Sequence, residues 1–416
     1  MPGALRRMTE VSRPRTVGPI TVGHGINEFF SIVIPPIIPL LIADLGVTYG
    51  QAGFLLTVFF VMYSLFQLPA GLVADRIGKN RLMLAGLVGM TGGIVIAGMA
   101  TTYGALAIAQ VVAGIAGSTF HPTGLSIISD IETADTEGKA MGVFGVGGTL
   151  GTMAAPLAVG GLAAVSGWRI ALLGAALLGG SATLLVAYFL VSFDVDVTPS
   201  IRSDGGRIAA TEWVRGVRAT ATELATRDIG LLCLITLVMS LQHRAIQTFT
   251  TSYVAAETGA TVSVSNLAFF ALLVGGSVAS LWGGDLADRL NRYYLGIGAA
   301  LATAVLVGAS LLVAHATAGL PFVLLIAALV AWFVVIGAAM YAVYPVKNAL
   351  VSERAEEAHS GSLFGVVQTG SALGSAIGPA VFGVLATRWG IIAAFPAIAG
   401  VGVVLAALFG VLLASE

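Results

Sequence analysis

His24, Asn27 and Glu28 stand at spacings of three and four within an apolar stretch from Gly18 to Leu45. Such spacings put the three side chains on one face of a helix. The chemistry on offer is proton exchange: the imidazole starts near neutrality, and the carboxylate is pushed up by desolvation and down by any nearby cation. If the helix begins near Val17, a rise of about 1.5 Å per residue brings Glu28 close to a bilayer midplane. A carboxylate at that depth costs on the order of 3 kcal/mol, so it should face a water-filled cavity or a partner. Pro35, Pro36 and Pro39 follow, which predicts a kink or thinning in the outer half of this helix.

Other ionisable residues set well inside apolar stretches are His121, His243 and Arg244, with Lys347 nearer an end. Arg244 is the arginine set well inside such a stretch. A guanidinium there suits bidentate contacts with a carboxylate or phosphonate, or an ion pair with Glu28. Tyr341, Tyr344, Gln247 and Gln368 are candidates for neutral polar contacts. Lys347 is expected to reach an interface along its aliphatic stem, and His315 and His359 fall near loops. The sequence has no His-Glu-x-x-His, no Gly-x-Ser-x-Gly and no Gly-x4-Gly-Lys-Ser/Thr loop, so neither an enzyme, a metal site nor a cofactor is expected.

The elements that must hold these residues follow from composition. Of 416 residues, 57% are hydrophobic and 10% charged, and the mean hydropathy is +0.96. Soluble domains run near roughly 25% charged, so lipid is the main solvent. A net charge of −1 without a basic block argues against nucleic acid, and the single Cys233 excludes an intramolecular disulfide. Apolar runs give twelve spans, at 17–43, 50–75, 81–101, 104–129, 139–164, 168–193, 228–254, 264–288, 293–314, 320–350, 361–386 and 390–414. The chain divides into a tail at 1–16, a six-helix bundle at 17–193, a linker at 194–227 and a second six-helix bundle at 228–416. Within the linker, Glu212–Thr226 could form a surface helix. Sixteen Lys and Arg residues fall on the side of the N-terminal tail, while Arg169 and Arg388 fall on the other. That bias predicts cytoplasmic termini and a multi-pass protein of the plasma membrane.

The two bundles repeat one another. Ala70–Arg76 returns as Gly283–Arg289, and Phe120-His121-Pro122 returns as Val343-Tyr344-Pro345. Gly142, Gly151 and Pro156 return at Gly365, Gly374 and Pro379, each 223 positions later. His24 and Glu28 align with His243 and Gln247. Repeats of like orientation imply a pseudo-two-fold axis along the membrane normal, with a central site expected between the halves.

The loop Gly71-x-x-Ala74-Asp75-Arg76-x-Gly78-Lys79-Asn80-Arg81 resembles the signature of the major facilitator superfamily. The resemblance implies an all-α fold of two pseudo-symmetric six-helix bundles. It also implies a cytoplasmic latch at Gly71, Asp75 and Arg76, with Asp288 and Arg289 in the second copy. Gly142-x8-Gly151-x3-Ala155-Pro156 and Gly365-x8-Gly374-x3-Gly378-Pro379 resemble the fifth-span motif of the drug–proton antiporter branch, where small residues and proline shape helix packing. Gln110 stands where that branch carries an arginine. His24-x-x-Asn27-Glu28 together with Thr119-Phe120-His121-Pro122 resembles the fosmidomycin-resistance type of efflux protein, and fosmidomycin is a phosphonate. What the resemblance implies is a secondary transporter working by alternating access, exporting a small organic anion or drug against protons. Glu28 and His24 would carry the proton; Asn27, His121, His243, Arg244, Gln247, Tyr341, Tyr344 and Gln368 would line the substrate cavity. A proton-coupled importer or facilitator of a small anion, and a transporter-shaped receptor, are the alternatives. The expected partners are a small molecule, protons and the bilayer, with the chain a monomer.

Overall fold

The structure, a computed structural model, describes residues 11–192, 226–317, 319–355 and 360–415, leaving out the side chains of 134, 284, 288, 314, 317, 355, 360–362 and 364. Regular structure among them is helical throughout. The first half runs α1 (Pro14–Ser31), a 3-10 turn (Pro35–Ile37), α2 (Ile38–Leu45), α3 (Tyr49–Ile77), α4 (Lys79–Gly98), α5 (Tyr103–Gly117), α6 (Phe120–Ile131), α7 (Ala134–Ser166) and α8 (Trp168–Ser192). The second runs α9 (Arg227–Thr258), α10 (Val262–Arg289), α11 (Arg292–Thr317), α12 (Phe322–Tyr341), α13 (Val343–Ala355), α14 (Ser360–Trp389) and α15 (Ile391–Leu413). Twelve helical stretches among the described residues are long and apolar enough to cross a membrane, the first being Pro14–Leu45 and the last Ile391–Leu413. The expected surface helix at Glu212–Thr226 lies outside the described residues but for Thr226, which caps the start of α9.

Helix is the form the sequence can adopt here, because lipid satisfies no backbone group and the i→i−4 ladder satisfies nearly all of them. Its interruptions follow the prolines. α1 stops at Ser31, and Pro35 and Pro36 open the 3-10 turn. Asn266 Nδ2 donates to the Pro36 carbonyl at 3.0 Å, meeting an acceptor that the broken ladder exposes. The fourth and tenth spans are each split, between Gly117 and Phe120 and between Tyr341 and Val343. Pro122 and Pro345 follow both splits by a turn, where the missing N–H and the bias on the preceding residue disfavour a continuous helix. His121 and Tyr344 therefore project from the second position of a fresh helix. Gly46 ends α2 and Gly259 ends α9 with φ of 64° and 63°, a left-handed turn that glycine adopts without strain.

Two compact units result. The first contains residues 11–47, 58–192 and 261–270; the second contains 48–57, 226–260 and 271–415. Each buries aromatic and branched side chains, with Phe30, Phe59 and Phe120 fully buried in the first and Phe269 (counted there too), Phe333 and Phe409 among the others. Leu177, Leu184 and Val191 on α8 and Leu281 and Trp282 on α10 are exposed, the apolar outer surface a lipid-solvated bundle requires. At the start of α1, the Glu132 carboxylate accepts from the backbone N–H groups of Ser12 and Arg13 at 2.9 and 3.0 Å. Burial pushes the Glu132 carboxyl up, but hydrogen bonds from Thr136 and from those two amides outweigh it and hold its pKa below the usual range.

Candidate functional site

Small residues let the first helix of each unit touch a partner helix backbone to backbone. In the first unit, a Cβ at Gly147 would lie 2.3 Å from the Thr21 carbonyl oxygen, and one at Gly151 would lie 1.9 Å from that of Gly25. In the second, a Cβ at Gly370 would meet the Cys233 carbonyl oxygen at 2.5 Å, and one at Gly374 that of Leu237 at 2.1 Å. Gly378 is equally close to Leu241, while Gly142 and Gly365 have open space around them. The packing role expected of the glycine motif thus falls on Gly151, Gly374 and Gly378, with Gly147 and Gly370 beside them. Pro156 and Pro379 lie inside α7 and α14.

These contacts also fix how the first helices correspond. Thr21 matches Cys233 and Gly25 matches Leu237, both 212 positions apart; Phe30 against Gly179 and Gln242 against Gly402 give the same step. His24 and Glu28 therefore correspond to Thr236 and Ser240, not to His243 and Gln247. The sequence alignment of those pairs is displaced by seven residues, because single polar residues carry less register information than a seam of backbone contacts.

The first unit gathers His24, Asn27, Glu28 and His121. His24 sits in the space left by Gly148, whose Cβ would stand 2.4 Å from the imidazole. The ring stacks on Phe144 at 3.8 Å between centroids, and its Nδ1 is 2.7 Å from the Phe144 carbonyl oxygen. His24 Nε2 faces His121 Nε2 at 3.2 Å. Glu28 Oε1 lies 3.8 Å from the first and 3.9 Å from the second. Asn27 is fully buried. Its Nδ2 donates to the Gly117 carbonyl at 3.1 Å and to Met90 Sδ at 3.2 Å, and its Oδ1 accepts from the Tyr63 hydroxyl at 3.0 Å. The Tyr63 oxygen is in turn 2.5 Å from His121 Nδ1. Tyr63, Phe144 and Gly148 were not singled out from the sequence. A tyrosine, a phenylalanine and one glycine among many in apolar runs carry no local signal.

His24, Glu28 and His121 each offer one atom able to bind a metal ion, all within 4.8 Å of one another. A four-coordinate ion with bonds of about 2.0–2.1 Å needs neighbouring ligand atoms about 3.3 Å apart. The nitrogen pair meets that spacing, but the carboxylate stands off by about half an ångström more. Two nitrogens at 3.2 Å are at hydrogen-bond distance, so this geometry suits a proton better than a metal.

The second unit gathers His243, Arg244, Gln247, Tyr341 and Tyr344. Arg244 Nη1 donates to Gln247 Oε1 at 3.0 Å, and Gln247 Nε2 donates to the Tyr341 hydroxyl at 2.6 Å. His243 packs edge-on against Tyr344 and Tyr341, with centroids 4.8 and 5.3 Å away. Its Nδ1 binds the Met239 carbonyl of its own helix at 2.9 Å. Gly276 leaves the space that the Tyr341 ring occupies. Gln368 is exposed on α14, and Lys347 is buried instead of reaching an interface. Glu28 has its ion-pair contacts with the two histidines of the first unit.

The expected latch residues lie at helix ends. Asp75 and Arg76 are exposed near the end of α3, Gly71 has open space around it, and the Asp288 side chain is outside those described. Arg289 pairs with Asp285 at 2.9 Å on the same helix, and Lys79 pairs with Asp130 at 2.5 Å between α4 and α6. A helix-end carboxylate with an arginine beside it is available for pairing elsewhere.

Residues 20–227 and 232–416 match the family described as Major Facilitator Superfamily. Among similar proteins, the chain is 25% identical over 293 residues to the fosmidomycin resistance protein of Escherichia coli K12, covering 69% of this chain and 68% of that one. It is 26% identical over 387 residues to the multidrug resistance protein MdtG of Salmonella arizonae, covering 89% and 88%. Among solved structures, a bacterial homolog to the human lysosomal transporter Spinster superposes with a TM-score of 0.75 at 17% identity, covering 97% of both chains. Twelve helices among the described residues that are long and apolar enough to cross a membrane, a duplicated half and a match along nearly the whole sequence lead to one conclusion: the chain belongs to the Major Facilitator Superfamily, a multi-pass membrane transporter with efflux proteins among its relatives.

Proposed function

We propose that this chain exports a small organic anion or drug by proton-coupled alternating access, with Glu28 and His24 carrying the proton and Arg244 holding the anion. The observation that carries the coupling half is the half-buried carboxylate of Glu28 within 4 Å of two imidazoles. A group that titrates at such a site can be charged from one side and discharged to the other. The anion half rests on Arg244, whose guanidinium is kept oriented by Gln247 and Tyr341. His121, His243, Gln247, Tyr341, Tyr344 and Gln368 are the proposed supporting polar groups. The resistance named for two relatives, to fosmidomycin in one, supports efflux of a drug-like compound and a phosphonate among the candidates.

In the same reading, residues 17–193 and 228–416 are the two bundles and 194–227 is a cytoplasmic linker. The termini face the cytoplasm of a plasma membrane, and the monomer is the working unit. Asp75 and Arg76, with Gly71 and the second copy at Asp288 and Arg289, would latch one step of the cycle.

Proteoliposomes with an imposed pH gradient test the coupling. Glu28→Gln should abolish uphill substrate movement while leaving substrate counterflow, which needs no net proton transfer, at a substantial fraction of the parent rate. Undiminished gradient-driven transport in that variant removes Glu28 from the mechanism. Counterflow also reads the latch, since Asp75→Asn should change its rate without changing the response to pH.

A further inference from the structure

The hydrogen bonds of the first unit have directions that can be assigned from their ends. The Gly117 carbonyl only accepts, so the Asn27 atom beside it is the amide nitrogen and Oδ1 is left facing Tyr63. The phenol has one proton, and it goes to Asn27 Oδ1. The Tyr63 oxygen must then accept from His121, which places a proton on His121 Nδ1. At the other end the Phe144 carbonyl also only accepts, so His24 carries its proton on Nδ1. Both imidazoles, when neutral, therefore present bare Nε2 lone pairs to each other at 3.2 Å.

Two lone pairs at that separation repel. One proton placed between them makes an N–H···N hydrogen bond, and Glu28 Oε1, at 3.8 and 3.9 Å, balances the positive charge. The groups facing the pair are His24 and Glu28 from α1, His121 from α6 and the Tyr63 hydroxyl from α3. Met90 on α4 and Phe144 on α7 add no charge. We infer that Tyr63 and Asn27 are positioning residues that lock His121 in its Nδ1–H tautomer, so that His24 and His121 bind one proton jointly with Glu28 as counter-charge. This refines the coupling reading above, moving the proton from Glu28 onto the imidazole pair with Glu28 as its counter-charge, and rests on that reading for its role in transport. The proton enters from water and leaves to water, no other bond changes, and the deprotonated pair is left with two opposed lone pairs beside an unbalanced carboxylate.

The tautomers can be read without any transport. Nitrogen-15 spectra of histidine-labelled full-length protein distinguish Nδ1–H from Nε2–H imidazole, and His24→Gln and His121→Gln identify the two rings. In alkaline buffer both rings should show Nδ1–H, opposite to the form favoured by free histidine in water. Tyr63→Phe should return His121 to Nε2–H and leave His24 unchanged. An Nε2–H tautomer at His121 in the parent protein overturns the inference, and that spectrum suffices even if Tyr63→Phe does not fold. A Tyr63→Phe protein that loses thermal stability but keeps Nδ1–H at His121 also overturns it, by reducing Tyr63 to packing. Correct tautomers alongside unaltered gradient-driven transport by Glu28→Gln would sink the coupling reading alone.

Discussion

Arg244 spends one arm of its guanidinium on Gln247, and the fork geometry, more than the charge, is what a phosphonate or carboxylate would read. Arg244→Lys keeps the charge and loses the fork. Loss of one charge-assisted hydrogen bond, about 1.5–3 kcal/mol, should raise KM for an anionic substrate by roughly 10- to 100-fold. Uptake kinetics in vesicles measure this, and an unchanged KM would end the anion assignment. At this scale the sequence is legible where a residue type is intolerable in lipid: His24, Glu28 and His121 are each visible as polar groups that need partners, but the sequence joins only His24 to Glu28 and sets His121 apart in the substrate cavity. It is silent where a residue is tolerated anywhere. Tyr63 fits an apolar helix without comment, and the three hydrogen bonds that hold the Asn27 amide leave no trace in the sequence.

The α1–α7 contact is what seats the imidazole. Gly148 lies on the face of α7 that meets His24, and Gly142 has open space. Gly148→Ala should displace the ring from the Phe144 carbonyl, destabilise the detergent-solubilised protein by about 1–3 kcal/mol as overpacking does, and remove pH-driven transport. Gly142→Ala is the matched control and should leave transport intact, with stability unchanged or raised by about 0.4–1 kcal/mol. Thermal melts and gradient-driven uptake decide it. Equal effects from both substitutions would mean that the seam does not position His24. The elements themselves were almost fully readable. The first span expected at 17–43 is found at Pro14–Leu45, and its break comes at the prolines that predict it. The seam was half readable: the glycine motif announces close packing, but which of its members touch a neighbour depends on helix rotation.

For the whole molecule, the span order read from the sequence sets sixteen Lys and Arg residues on the side of the N-terminal tail against Arg169 and Arg388 on the other. With Cys233 first replaced by Ser, a cysteine at position 169 should react with an impermeant maleimide in intact cells. A cysteine at position 76 should react only after permeabilisation. The reverse pattern would invert the topology. The repeat was legible through its loop and its fifth-span glycines, because several residues recur together at one step. It misled at the first helices, where two residues alone suggested a pairing that the backbone contacts of Thr21 and Gly25 and the ring of Phe30 displace.

That displacement has its own consequence. Seven residues make two helical turns less about 20°, so a side chain moved by that step keeps almost the same azimuth. It travels about 10 Å along the axis. A duplicated bundle can therefore slide an ionisable group up or down one copy of a helix, trading depth for depth, while the interlocking of that helix with its neighbours stays as it was inherited. Diversification of such a scaffold need not redesign any contact: a substitution one heptad away is enough to move the chemistry.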